Sequence, residues 1–277
     1  MPTPTQQEIT KAKRLLSERV DLQTQATNAL KEEIRKAFAQ VAELGYGSDI
    51  APLQFRFSNM KDYDELKELL TNLRVATFLL AEHAAQEAAQ LVQDAYGIPI
   101  SFDVGEYMNR VIDDKTMKER IATYSHRLFM EWETWVAAGL ITGLTLKALN
   151  SIYSMYSARP YANPIFQKAE TSAAAATRLR TGGISYGVGH YVSAQNDLTR
   201  LNGYAIADVF RQAQRDAFMA MGNVVGYFIG RGSSYPCSLC DDFVGYTPAM
   251  YAELPPYHAN CKCWAVPVTD TTLNGLL

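Results

Sequence analysis

The chain has 277 residues, 48% of them hydrophobic, and a formal net charge of −3. That length suits one large domain or two ordinary ones, each able to bury a core without disulfide staples, and the charge balance argues against a protein that coats nucleic acid over its whole surface. The N-terminal MPTPTQQEITKAKRLL has no apolar h-region, and the longest apolar stretch, Val136 to Leu144, is too short to span a bilayer. Neither a secretory signal nor a membrane anchor is expected, so folding is expected in a reducing cytoplasm.

Thr5-x-x-Glu8 has the spacing of a capping box. After it, Ile9, Ala12, Leu16, Val20, Leu30, Ile34, Phe38 and Val41 recur at helical intervals until Gly45-Tyr46-Gly47. The pattern predicts a helix of about 40 residues, ~60 Å long. Residues 49–59 read as a connector in which Gln54-Phe55-Arg56-Phe57 alternates like a short strand. Asp62-x-x-Glu65 opens a second helix whose apolar face runs from Leu66 to Leu80 and which fades at Tyr96-Gly97-Ile98-Pro99. A third helical region is predicted from Val104 past Trp135, and a fourth from Thr142 to Tyr156. Arg159-Pro160 and Asn163-Pro164 then break the chain.

An alanine-rich helix is predicted from Pro164 to Leu179, ended by Thr181-Gly182-Gly183, and a further long helix from Val192 to about Gly222. Residues Asn223 to Ile229, rich in β-branched and aromatic side chains, read as a strand, with a closing strand over Cys263 to Val268. The expected fold class is mainly α: an elongated helical bundle followed by a small α+β C-terminal module with a Cys/His cluster. In chain order this gives an N-terminal helical region 1–100, a central helical region 101–222 and the small module 223–277.

All four cysteines and one of the four histidines fall in the last of these, as Cys237-x-x-Cys240, seventeen residues, then His258-x-x-Cys261-x-Cys263. A Cys-x-x-Cys knuckle lets two thiolates reach one ion, and a second Cys/His pair one loop away completes a tetrahedron. Five candidates compete for four places: Cys237, Cys240, His258 and Cys261 are favoured, with Cys263 a rival for the last. A mixed S/N tetrahedral set suits zinc, and with every corner filled by protein the ion would be structural. Three other readings stay open: two disulfides, a catalytic Cys–His pair, and reduced thiols without a ligand. Pro255-Pro256 stiffens the approach to His258 by fixing φ.

The run CSLCDDFVGYTPAMYAELPPYHANCKCW resembles the C-terminal signature of the Mu F-like phage minor head proteins, or head morphogenesis proteins. Cys237, Cys240, Gly245, Pro255, Pro256, His258, Cys261 and Cys263 carry the likeness, as does a helix from Ala205 to Met221 leading into a short strand. The likeness covers roughly residues 204–268. The chain diverges from the family where it reads Arg211-Gln212-Ala213 and Gly232-Ser233-Ser234-Tyr235. The resemblance implies a non-enzymatic minor structural protein of a tailed-phage head. Such a protein would lie in the virion head, and in the host cytoplasm during assembly. Its expected partners are the portal or major capsid protein, with a homo-oligomer or several copies per particle. Its expected role is to assist head assembly or DNA packaging and delivery. The alternative is a Cys/His-dependent enzyme or effector, nuclease or toxin-like.

Other motifs are plainer. His83, His126 and His190 sit in or beside helical patterns without a cysteine nearby. Gly187-Val188-Gly189 lacks the Lys-Ser/Thr of a phosphate loop. Arg178 and Arg180 beside Gly182-Gly183 offer a DNA-backbone contact, against the plainer reading of cations at a helix C-terminus. The aromatic run Met130 to Trp135 suits either a partner surface or a half-buried helix.

Overall fold

The computed structural model describes residues 4–164, 193–235, 237–249, 253–258 and 261–270. Among them are seven α-helices and three strands. Helix α1 (Gln6–Tyr46) begins at the predicted capping box: the Glu8 carboxylate accepts from the Thr5 backbone N–H at 2.8 Å, and the Glu8 N–H donates to the Thr5 hydroxyl at 3.3 Å. Helix α2 (Tyr63–Tyr96) follows, then α3 (Val104–Met108), α4 (Met117–Ile141), α5 (Leu146–Tyr156), α6 (Ala194–Ala220) and the single turn α7 (Ser238–Asp241). The strands are β1 (Val224–Arg231), β2 (Gly245–Pro248) and β3 (Cys263–Thr269).

Two stretches depart from the sequence pattern. The expected strand at Gln54–Phe57 is instead a pair of 3-10 turns, Pro52–Gln54 and Phe57–Asn59. Phe55 and Phe57 alternate because both rings are buried from a loop, and the Phe57 N–H finds the Glu133 carboxylate at 2.8 Å rather than a neighbouring strand. The third helical region is broken between α3 and α4. Asp113 and Asp114 both take positive φ (46° and 62°), and Ile112 and Lys115 exchange two backbone hydrogen bonds across them. That is the geometry of a two-residue hairpin turn. A second capping box, Thr116 with Glu119, then starts α4. The alanine-rich segment at 165–179, Arg178, Arg180 and the glycine-rich run before His190 lie outside the described residues.

The chain folds as two compact units built from non-consecutive stretches. Contacts therefore divide it on another principle than the chain-order regions 1–100, 101–222 and 223–277. One unit comprises the described residues of Met1–Thr27, Leu80–Arg110 and Leu201–Leu277; the other comprises those of Asn28–Leu79 and Val111–Arg200. The second unit is organised around α4, which is buried on all sides from Leu128 to Gly139 apart from Met130. Trp132 and Trp135 pack there against Phe38 and Tyr153, with Phe38 and Tyr153 stacked at 3.6 Å and the Trp132 indole donating to the Tyr153 hydroxyl at 2.8 Å. The aromatic run of α4 is thus core.

The first unit holds the sheet, in the order β2-β1-β3 with both pairings antiparallel. β2 carries no strand pattern in the sequence and exists by pairing with β1. Alternation sorts the side chains onto two faces. Tyr227, Ile229, Cys263 and Ala265 join Phe218 of α6 and the cysteine loops on one face. Phe228, Trp264 and Val266 meet Ile9, Ala12 and Leu16 of α1 on the other. Gly230 lies opposite Trp264, and an added Cβ would sit 2.0 Å from the indole, so the ring crosses the sheet only because that position has no side chain.

Candidate metal centre

The sheet face that carries Cys263 is where the five candidate ligands meet. Cys237 caps α7, and both the Cys240 and Asp241 N–H groups donate to its carbonyl, at 3.0 and 2.9 Å. This one-turn helix puts Cys237 and Cys240 on the same side. The second pair is held the same way: the Cys261 N–H donates to the His258 carbonyl at 2.9 Å, closing a tight turn over His258-x-x-Cys261. Two short knuckles therefore face one another. The Pro255–Pro256 bond that leads into the second is cis.

The His258 Nε2 lies 3.3 Å from both the Cys237 and the Cys240 sulfur, and the Cys240 and Cys261 sulfurs are 3.8 Å apart. A tetrahedral zinc with ordinary bond lengths has S···S edges of about 3.8 Å and S···N edges of about 3.5 Å. Each of the three distances is close to such an edge. The five donors form two triads that share Cys240, namely Cys237, Cys240 and His258, and Cys240, Cys261 and Cys263; within each, the donor atoms lie within 4.8 Å of one another. All four cysteines are free thiols. The group can hold a metal ion.

Cys261 lies two residues before Cys263, the first residue of β3, and a two-residue step along extended chain returns to the same side. Both thiols are buried on the same side, and the Cys263 N–H donates to the Cys261 sulfur at 3.4 Å. Cys261 is the thiol most disposed to be a thiolate. A hydrogen bond from the Cys263 thiol, joined by backbone N–H groups of Cys263 and Tyr257, holds it down to about 5 against the opposing effect of burial. Burial pushes Cys240 up to about 12. Metal binding requires both deprotonated, so the ion and the protons compete for this site.

One residue of the site escaped the sequence reading. Arg19 of α1 is 1% exposed, and its Nη2 donates to the Cys261 carbonyl at 2.6 Å across 242 residues of chain. Its guanidinium stands 5.6 Å from the centre of the Phe210 ring, and Nε has no hydrogen-bond partner among the described residues. Burial lowers its pKa to about 10, while Cys261 and Cys263 act in the opposite sense, so it stays a cation at neutral pH. An uncompensated buried charge is costly, and the Cys261 thiolate beside it supplies the compensation. No local signal marks Arg19, which in the sequence is one polar position on a long helix. His83 and His126, by contrast, are exposed, and His83 lies 3.5 Å from Glu87.

Protein-family models, curated proteins and solved structures were each compared with the chain, and none matches. The Mu F-like likeness therefore rests on the motif residues alone. Among the described residues no helix is long and apolar enough to cross a membrane.

Proposed function

We propose that Cys237, Cys240, His258 and Cys261 hold one structural zinc ion, with Cys263 as the thiol behind them. We further propose that the chain is a minor head protein of the Mu F-like kind, present in a few to tens of copies per particle and docked on portal or inner capsid. The convergence of two facing knuckles at the end of a long helix and strand, with the spacing of the head-protein signature, carries this reading. A shared imidazole drawn between two thiols favours a ligand over a catalytic Cys–His pair, in which one thiol stands alone with its base. Zinc suits the donor set because mixed thiolate and imidazole donors favour it over harder ions.

Two measurements test the reading separately. Elemental analysis of the purified chain is expected to find one zinc per chain, lost on chelation together with the fold of the sheet; a metal-free protein with an intact sheet refutes the clip. Quantitative mass spectrometry of purified phage particles, scored against portal and major capsid protein, is expected to find the chain in low copy number. Its absence from particles refutes the virion role.

A further inference from the structure

Beside the sheet, on the α1 side, runs an open groove of about 660 Å3. Three segments far apart in sequence each bring a cation to it: Lys13 from α1, Arg231 from the end of β1, and Lys262 from between the last two cysteines. Ser17, Ser233 and Ser234 add hydroxyls, and no carboxylate is part of the lining among the described residues. Leu16 and Val20 form an apolar strip between the charges. The arrangement is built rather than casual. A Cβ on Gly232 would sit 2.0 Å from the Lys262 carbonyl oxygen, so the two loops touch through their backbones, and the Lys13 ammonium stands 5.8 Å from the centre of the Trp264 indole. Arg231 is anchored on one side by an ion pair with Asp241.

We propose that this groove holds the phosphate groups of a nucleic-acid backbone. Phosphate oxygens are recognised by lysine, arginine and serine, without demand for an enclosed pocket. A chain of phosphates, rather than one isolated anion, fits three cations drawn from three segments along an open groove. The protein as a whole is slightly acidic, so a local concentration of cations here is not a by-product of composition. This site is distinct from Arg178 and Arg180, and it depends neither on a virion role nor on the identity of the metal.

The test is fluorescence anisotropy of a short labelled DNA duplex with the full-length, metal-loaded protein at about 0.15 M salt, beside the variant K13Q/K262Q and the control K36Q/K61Q. Binding is expected for the wild type and the control. The double variant is expected to bind at least ~10-fold more weakly, with a slope of log affinity against log salt shallower by about 1 per lysine removed. Metal content and circular dichroism report whether the double variant keeps its fold, and K13Q alone, on an exposed helix position, supplies the same comparison away from the cysteines. The proposal is overturned if the wild type does not bind the duplex, if the double variant and K13Q bind like the wild type, or if only inorganic phosphate or pyrophosphate binds.

Discussion

Cys240 belongs to both triads of donors, and so its loss removes more than one corner's worth of geometry. The expected order of damage follows: Cys240→Ser leaves almost no bound zinc after dialysis against a mild chelator, whereas Cys263→Ser retains most of it. Metal analysis with a parallel thiol titration decides the matter, and the reverse order would put Cys263 in the tetrahedron in place of Cys240. Arg19 offers a second comparison at this scale. Its charge faces Cys261 and Cys263, so Arg19→Met is expected to weaken zinc binding at least ~10-fold in competition with a chromophoric chelator, which is the usual penalty for losing an outer partner of a ligand. Arg19→Lys keeps the charge and should recover part of the loss; if it behaves like Met, the guanidinium acts only as a spacer. Both residues illustrate what a sequence can carry. The Cys/His spacing marks the ligands because both knuckles are local turns, while Arg19 acts 242 residues away from the carbonyl it binds.

At the scale of elements, α4 is the least legible. Its aromatics recur in a pattern that suits a helix with one wet face, yet two glutamates lie inside. Glu131 accepts from the Ala194 N–H at 2.9 Å, and burial raises its pKa to about 8, with Asp197 reinforcing the shift and Arg127 opposing it. The folded state therefore keeps a proton that the unfolded chain releases near pH 4.5. Stability is full below that pH and falls as pH rises towards about 8, by at most about 5 kcal/mol at ~1.4 kcal/mol per pH decade. Urea unfolding across this range should show the decline, and Glu131→Gln should flatten it; a slope unchanged in the variant would assign the pH dependence elsewhere. The Asp113-Asp114 turn between α3 and α4 gives a prediction of opposite sign. Both residues sit at positive φ, where Asn and Gly are more at ease, so the pair Asp113→Asn with Asp114→Gly should stabilise the protein by about 0.5–1 kcal/mol, read from the urea midpoint. Two aspartates do not advertise such a turn, which is why the helical pattern seems to run through it.

For the molecule as a whole, the Cys/His cluster and the aromatic core belong to different compact units. Chelation should therefore act on one set of amides. Hydrogen exchange after zinc removal is expected to speed up in β1, β3 and α7, whose packing includes the cysteines, and to leave α4 and α5 protected. Equal loss of protection in both sets would mean that the metal supports the entire chain. Phe38→Ala probes the other unit. It removes a ring stacked on Tyr153 and touching both tryptophans, and should cost about 3–5 kcal/mol without changing metal content.

What the sequence determined by itself is what depends on neighbours along the chain. The capping box at Thr5, the long apolar periodicities of α1, α2 and α6, the strand character of β1 and β3, and the two cysteine knuckles all arise within a few residues of one another. The tertiary structure decided what depends on distant partners. β2 exists because β1 offers it an edge, and the Phe55–Phe57 stretch is a turn because Glu133 takes its backbone N–H. Arg19 lies beside the thiols, and Lys13, Arg231 and Lys262 share a groove, because helix and sheet pack face to face; burial and charge then give these residues roles that no short stretch of sequence records.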